Sequence, residues 1–209
     1  MFVYIKRIRN IVLQTIAITC IVSSMTISAF ASTYKVLGVN RYVQKKSKWC
    51  WAACAQMIGE YKTGTKYSQS AICKYTKSAV VNTTADIYEM EDALWYTTRK
   101  NTSSKSSYLK FSTSRGQIDD KRPFIVRVAW SSGGGHAIVI DGYQETTYKY
   151  LHYRNPTSGS GSGFARYHNM VNGGTTYKSA SKGVWSHTVY IVKGGWLLWN
   201  ISLLKYSLR

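Results

Sequence analysis

The stretch KSKWCWAACAQMI, Lys46–Ile58, governs how the rest of the chain is read. Trp49 and Trp51 bracket Cys50, and Cys54 follows four residues later. Trp49, Ala52/Ala53, Gln56/Met57 and Glu60 recur at helical spacing, which predicts a helix over Trp49–Tyr61 closed by Gly64. Cys50 then stands where the helix begins. A cysteine nucleophile reacts as the thiolate, and the unpaired N–H groups and dipole of a helix start favour negative charge there. Lys46 and Lys48 add positive potential. Cys54 lies a full turn deeper, where that effect fades. Cys50 is therefore the better nucleophile and Cys54 the better structural thiol.

Upstream of this stretch the chain changes character. Met1–Asn10 carries Lys6, Arg7 and Arg9, Ile11–Phe30 is mostly apolar without charge, and Ala29-Phe30-Ala31 is a small-x-small ending. That order predicts a secretory signal peptide over residues 1–31, cleaved after Ala31. An uncleaved membrane anchor is the alternative, weakened by Thr15, Thr19, Ser23, Ser24 and Thr26 inside the apolar run. Cleavage leaves no stable membrane span in the mature protein. It also removes three basic groups and no acidic ones, so the net charge of +19 becomes 19 − 3 = +16. Such a charge favours anionic surroundings, cell-wall or cell-surface polymers among them. The Lys and Arg residues are scattered without forming a stripe, so specific nucleic-acid binding is not expected. Cys20 leaves with the signal, and Cys50, Cys54 and Cys73 remain. In an oxidising compartment an odd count reads as one bridge and one free thiol.

Downstream of the opening stretch, Ser68 can cap a short helix through Lys77, and Thr84 opens a third with Ile87, Met90 and Leu94 near one face. Residues 101–108, NTSSKSSY, read as a polar loop. The second half is β-rich: strands are expected over Pro123–Trp130, Ala137–Tyr143, Thr147–Tyr153 and Val184–Val192, with TSGSGSG, 157–163, as a flexible loop. Helices first and antiparallel strands second predict an α+β domain over residues 32–193, its two halves packed face to face. The tail 194–209, GGWLLWNISLLKYSLR, fits a docked helix, an interfacial segment or a poorly ordered extension.

A thiol nucleophile needs a base, most often an imidazole. Of His136, His152, His168 and His187, His136 stands apart. It follows Gly133-Gly134-Gly135, which leave open space beside the ring, and precedes the apolar strand AIVIDGY, which fixes it. The imidazole needs an orienting acceptor. Asn155, 19 residues on, closes the strand that would pair with the His136 strand, and Pro156 terminates it. A hairpin through Gln144–Thr147 would bring 136 and 155 to one end of the sheet. An oxyanion needs donors. The Cys50 N–H is one, and Gln44, six residues before Cys50, could supply another.

Gln44, Cys50 with an aromatic after it, strand-borne His136 and Asn155 together resemble the papain-like cysteine peptidases. WCWAA resembles a bacterial branch of that clan, which includes secreted effector proteases and relatives of bacteriocin-leader peptidases, and GGHAIVIDGY followed by a strand and Asn-Pro is similar as well. The likeness spans residues 40–192. It implies a papain-like fold, Cys50 as nucleophile, His136 as general base and acid, Asn155 as the orienting residue and Gln44 as an oxyanion donor. It implies a protein or peptide substrate and no metal or cofactor. Asn155-Pro156 departs from the Asp-Pro common in that branch. The odd cysteine count together with export further suggests a Cys54–Cys73 disulfide. The expected function is a bacterial secreted cysteine peptidase, extracellular, with cell-wall association as an option. A peptidoglycan amidase or endopeptidase of Cys-His type is the alternative within enzymes, and a cationic binding protein that has lost activity is the alternative outside them.

Overall fold

The computed structural model describes residues 32–175, 177 and 182–194. The expected signal peptide lies outside the described residues, as does the tail from residue 195 onward. The described elements run β1 (Thr33–Val36), α1 (Cys50–Thr63), α2 (Gln69–Lys77), α3 (Ile87–Thr98), β2 (Thr102–Lys105), α4 (Phe111–Asp119), β3 (Phe124–Trp130), β4 (Gly135–Glu145), β5 (Lys149–Asn155), β6 (Gly161–Arg166), α5 (Tyr167–Asn172) and β7 (Gly183–Ile191).

The helical half forms from local signals. Gly64 closes α1 at φ 73°, its N–H donating to Glu60 O, a conformation glycine adopts without the Cβ penalty. Ser68 caps α2 by accepting from Ala71 N. α3 opens two or three residues later than Thr84, at a reciprocal capping box: Asp86 accepts from Glu89 N, and Glu89 accepts from Asp86 N. Residues 84–85 stay outside the helix as a result. From Trp51 to Gly59 every residue of α1 is buried, as a helix surrounded by core must be. At Gly59 the helix meets α3 so closely that a Cβ would lie 2.5 Å from Thr97 Cβ.

The strands form one seven-stranded antiparallel sheet in the order β2-β7-β3-β4-β5-β6, with β1 also on β4. β4 is long enough to be flanked on one side by β3 along Gly135–Ile140 and by β1 along Gly142–Glu145. The helical first half against an antiparallel sheet is the α+β arrangement the element order predicts, with α1 packed on β4.

Several expectations need correction. Thr102–Lys105 is not loop but an edge strand on β7; polar side chains suit an edge that faces water. The last three residues of TSGSGSG are strand and not loop, because Gly161–Arg166 pairs with β5, and Gly163 faces the Tyr153 ring, with a Cβ falling 3.3 Å from its Oη. Helix α4 arises from the polar segment FSTSRGQID, which carries no clear apolar period. The expected Cys54–Cys73 bridge is absent: both are buried free thiols. The Cys73 Sγ–H is turned instead toward the carbonyls of Ala79 and Val81, at 3.4 and 3.3 Å.

Candidate active site

Cys50 is the first residue of α1, with Trp49 at the cap. The two tryptophans do more than pack. Trp49 Nε1 donates to Val81 O at 2.7 Å and Trp51 Nε1 to Thr83 O at 3.1 Å. Asn82 accepts from Lys48 N and donates to Ser47 Oγ. Segment 79–85 is thus hung across the start of α1, and its Thr84 helps wall a cleft of about 250 Å³. The helical wall of that cleft includes Cys50, Trp51 and Thr84. The sheet wall includes Arg127, Gly135 and His136.

Four groups pull the Cys50 pKa down: the backbone N–H groups of Ala137, Trp51 and Cys50 itself, and the positive charge of Arg127. Burial nevertheless outweighs them and pushes the thiol up. This corrects the expectation of a net lowering at the helix start. Lys46 and Lys48 are exposed to solvent, where their charge is screened. The Cys54 thiol, wholly buried, is pushed well up by desolvation.

His136 opens β4 and is held from several sides. Its Nε2 lies 2.7 Å from Asn155 Oδ1 and 3.1 Å from Thr157 Oγ1, and Trp130 stacks on the ring at 5.9 Å and 17°. Asn155 Nδ2 donates to Tyr177 O at 2.9 Å, while Thr157 N donates to Asn155 Oδ1 at 2.9 Å. A carbonyl only accepts, so the Tyr177 contact fixes which end of the Asn155 amide is NH₂. Oδ1 must then face the ring, and the ring nitrogen against it must carry a proton. His136 is thereby set as the Nε2–H tautomer with Nδ1 as its acceptor. Arg41 holds the same turn, with Nε on Asn155 O and Nη2 on Thr157 O. Burial lowers the His136 pKa, and the bond to Asn155 offsets part of that.

Cys50 and His136 both line the cleft, one from the helical wall and one from the sheet wall. The hairpin β4–β5 brings His136 and Asn155 together despite a register shift between Ile140 and Gly142. Gln44 is placed differently from the expectation. Its Nε2 donates to Lys46 O and Ser47 O at 2.9 and 2.8 Å, while its Oε1 is buried with no partner. Both amide hydrogens are therefore committed to the turn before Cys50. Its backbone N–H donates to Pro156 O, tying this turn to the one after Asn155.

The other histidines serve elsewhere. His152 Nδ1 sits 2.6 Å from the buried Asp141, which also accepts from Arg154 Nε at 2.7 Å. His187 pairs with Ser186, and His168 with Asn172. Sequence reasoning missed Arg127 as a cleft residue; its only signal is a lone arginine inside the apolar strand FIVRVAW. Among the described residues no group of three or more His, Cys, Asp or Glu side chains could hold a metal ion, and no helix is long and apolar enough to cross a membrane.

The family model described as "Papain-like cysteine protease AvrRpt2" matches residues 32–172, a span that contains Gln44, Cys50, His136 and Asn155. No curated protein matches the chain. Among solved structures, the chain is similar to the peptidase domain of Streptococcus ComA, a bi-functional ABC transporter involved in quorum sensing. That match has 15% identity and a TM-score of 0.52, covering 73% of this chain and 97% of that one. It is also similar to a double glycine motif protease from an AMS/PCAT transporter, solved in complex with the leader peptide. There the identity is 11% and the TM-score 0.50, covering 76% of this chain and 94% of that one. At these identities the likeness is one of fold.

Proposed function

Because this chain belongs to the papain-like cysteine protease AvrRpt2 family and is a cysteine-type peptidase, we propose that it is an exported enzyme that hydrolyses peptide bonds through an acyl-enzyme on Cys50. His136 Nδ1 takes the Cys50 thiol proton as sulfur bonds to the scissile carbonyl carbon. The oxyanion is met by the Cys50 N–H. The imidazolium then gives its proton to the leaving amine as the C–N bond breaks, and a thioester remains. Water adds to the thioester, with His136 Nδ1 taking its proton. Collapse releases the acid, and the proton returns to the Cys50 sulfur. Asn155 holds the ring in the needed tautomer throughout.

Gln44 supplies the second oxyanion donor in this reading, once its amide turns from the Lys46 and Ser47 carbonyls. Its buried Oε1 has no partner in the resting position, so only the two Nε2 bonds to the Lys46 and Ser47 carbonyls have to be exchanged for that role. Export rests on the order of residues 1–31: a basic start, an apolar run and an Ala-Phe-Ala ending. Association with anionic wall or cell-surface polymers rests on the net charge of 19 − 3 = +16 left once residues 1–31 are removed.

The observation that supports the mechanism most is the Tyr177–Asn155–His136 chain of hydrogen bonds. The test is cleavage of casein and of a diverse peptide library by the protein without residues 1–31. Cys50→Ala should abolish cleavage while leaving the circular-dichroism melt in place. Cleavage that persists in Cys50→Ala, or that appears only on purified sacculi, overturns the proposal.

A further inference from the structure

Arg127 is placed in the cleft by construction. The β3–β7 register shifts between Arg127 and Val128, pairing Arg127 with His187 and Val128 with Trp185 and leaving Ser186 as the extra residue. Bulges beside functional sites re-aim side chains. Here the spare Ser186 braces the arginine: Ser186 Oγ donates to Arg127 O at 3.0 Å and accepts from Nη1 at 3.1 Å. On the other side the guanidinium lies against Gly135, where a Cβ would sit 2.9 Å from both Cζ and Nη2. The residue before His136 is thus one whose missing side chain makes room for a cation. No acidic residue is among those that line the cleft. A partly buried guanidinium presents a planar fork suited to a carboxylate.

We propose that Arg127 is a specificity-determining residue that binds a carboxylate of the substrate, either an acidic side chain beside the scissile bond or a free C-terminal carboxylate. The inference rests on the peptidase reading of the same cleft.

The test uses two small probes that need no known substrate. Iodoacetate and iodoacetamide both alkylate Cys50 and differ by one negative charge. Any effect of Arg127 on the thiol itself cancels in the ratio of their rates at pH about 8, read by mass at Cys50. Arg127→Gln should lower the iodoacetate-to-iodoacetamide ratio about tenfold, and Arg127→Lys by less, since a point charge keeps attraction but loses the fork. Should Arg127→Gln fail to fold, the wild-type ratio should still drop several-fold on raising salt from about 0.05 to 0.5 M. Peptide pairs then identify the source: Glu against Gln at positions flanking the cut, and free acid against C-terminal amide. The preferred pair should show about a tenfold bias in kcat/KM that Arg127→Gln removes. An unchanged alkylation ratio, or a fallen ratio with no bias in either peptide pair, overturns the assignment while Cys50 chemistry stands. No alkylation of native Cys50 by either reagent overturns the peptidase reading itself, and this inference with it.

Discussion

Replacing Asn155 with Ala tests the hydrogen-bond chain on which the mechanism depends. The side chain is 1% exposed and serves three partners: the His136 ring, Thr157 N and Tyr177 O. Alanine leaves Thr157 N and Tyr177 O without their partner. An orphaned buried group costs about 1–3 kcal/mol, so two should cost about 2–6 kcal/mol. For a domain of this size that lowers Tm by roughly 4–24 °C. The ring nitrogen keeps a weaker contact, Thr157 Oγ1 at 3.1 Å, so the imidazole is loosened and not lost. A hydrogen bond to a charged group contributes about 1.5–3 kcal/mol. If that much stabilisation of the imidazolium vanishes in the transition state, kcat falls roughly tenfold to 150-fold, with KM little changed. Asn155→Asp separates geometry from charge. It keeps an acceptor toward His136 but sets a carboxylate oxygen against Tyr177 O, so it should also destabilise. Its negative charge favours the imidazolium and moves the acid limb of activity to higher pH. The assay is kcat and KM on one cleaved peptide across pH, with a thermal melt for each variant. Asn155→Ala with wild-type kcat, or a loss confined to KM, would refute the reasoning.

Other outcomes follow from the same geometry. The lowered His136 and raised Cys50 pKa values describe a neutral resting pair. Activity requires unprotonated His136, so kcat/KM should reach half its plateau below pH about 6.5, with no alkaline fall before pH about 8.5. An acid limb near pH 4 accompanied by thiolate absorbance at neutral pH would instead mark a preformed ion pair. Gln44→Ala should lower kcat by about 10²–10³ with a small change in Tm; a loss under tenfold would leave Gln44 only as the brace of the Lys46–Ser47 turn. Gly59→Ala places a Cβ 2.5 Å from Thr97 Cβ. Overpacking costs about 1–3 kcal/mol, and the helix-propensity gain of up to about 1 kcal/mol offsets only part of it. Tm should drop by several degrees with the Cys50 chemistry retained, and a raised Tm would contradict that packing.

The parts of the site that were legible in the sequence are those fixed by local chain chemistry. Cys50 was placed by a helix start with an apolar period behind it and Gly64 to close it. His136 and Asn155 were placed by a hairpin, with glycines before one and proline after the other. The direction of the Cys50 pKa was not legible, because desolvation comes from distant elements closing over the thiol. Nor was Arg127, whose aim depends on a bulge at Ser186, 59 residues away. Tyr177 O, which favours an amide over a carboxylate at 155, belongs to a segment that no spacing argument connects to Asn155. In the fold, β2 and β6 were hidden because polar and glycine-rich segments carry loop composition whether or not an edge strand captures them. The Cys54–Cys73 expectation failed because a cysteine count carries no orientation, and Cys73 turns its thiol to the 79–81 carbonyls.

The most direct measurement is residue-resolved alkylation of the native protein by iodoacetamide at pH about 7.5, followed by peptide mass mapping. Modification is expected at Cys50 well before Cys54 or Cys73, which are fully buried, with a rate at Cys50 that falls at least tenfold in His136→Ala, where the base is gone. Equal modification of all three thiols, silence at Cys50, or a Cys50 rate indifferent to His136→Ala would contradict the Cys50 mechanism.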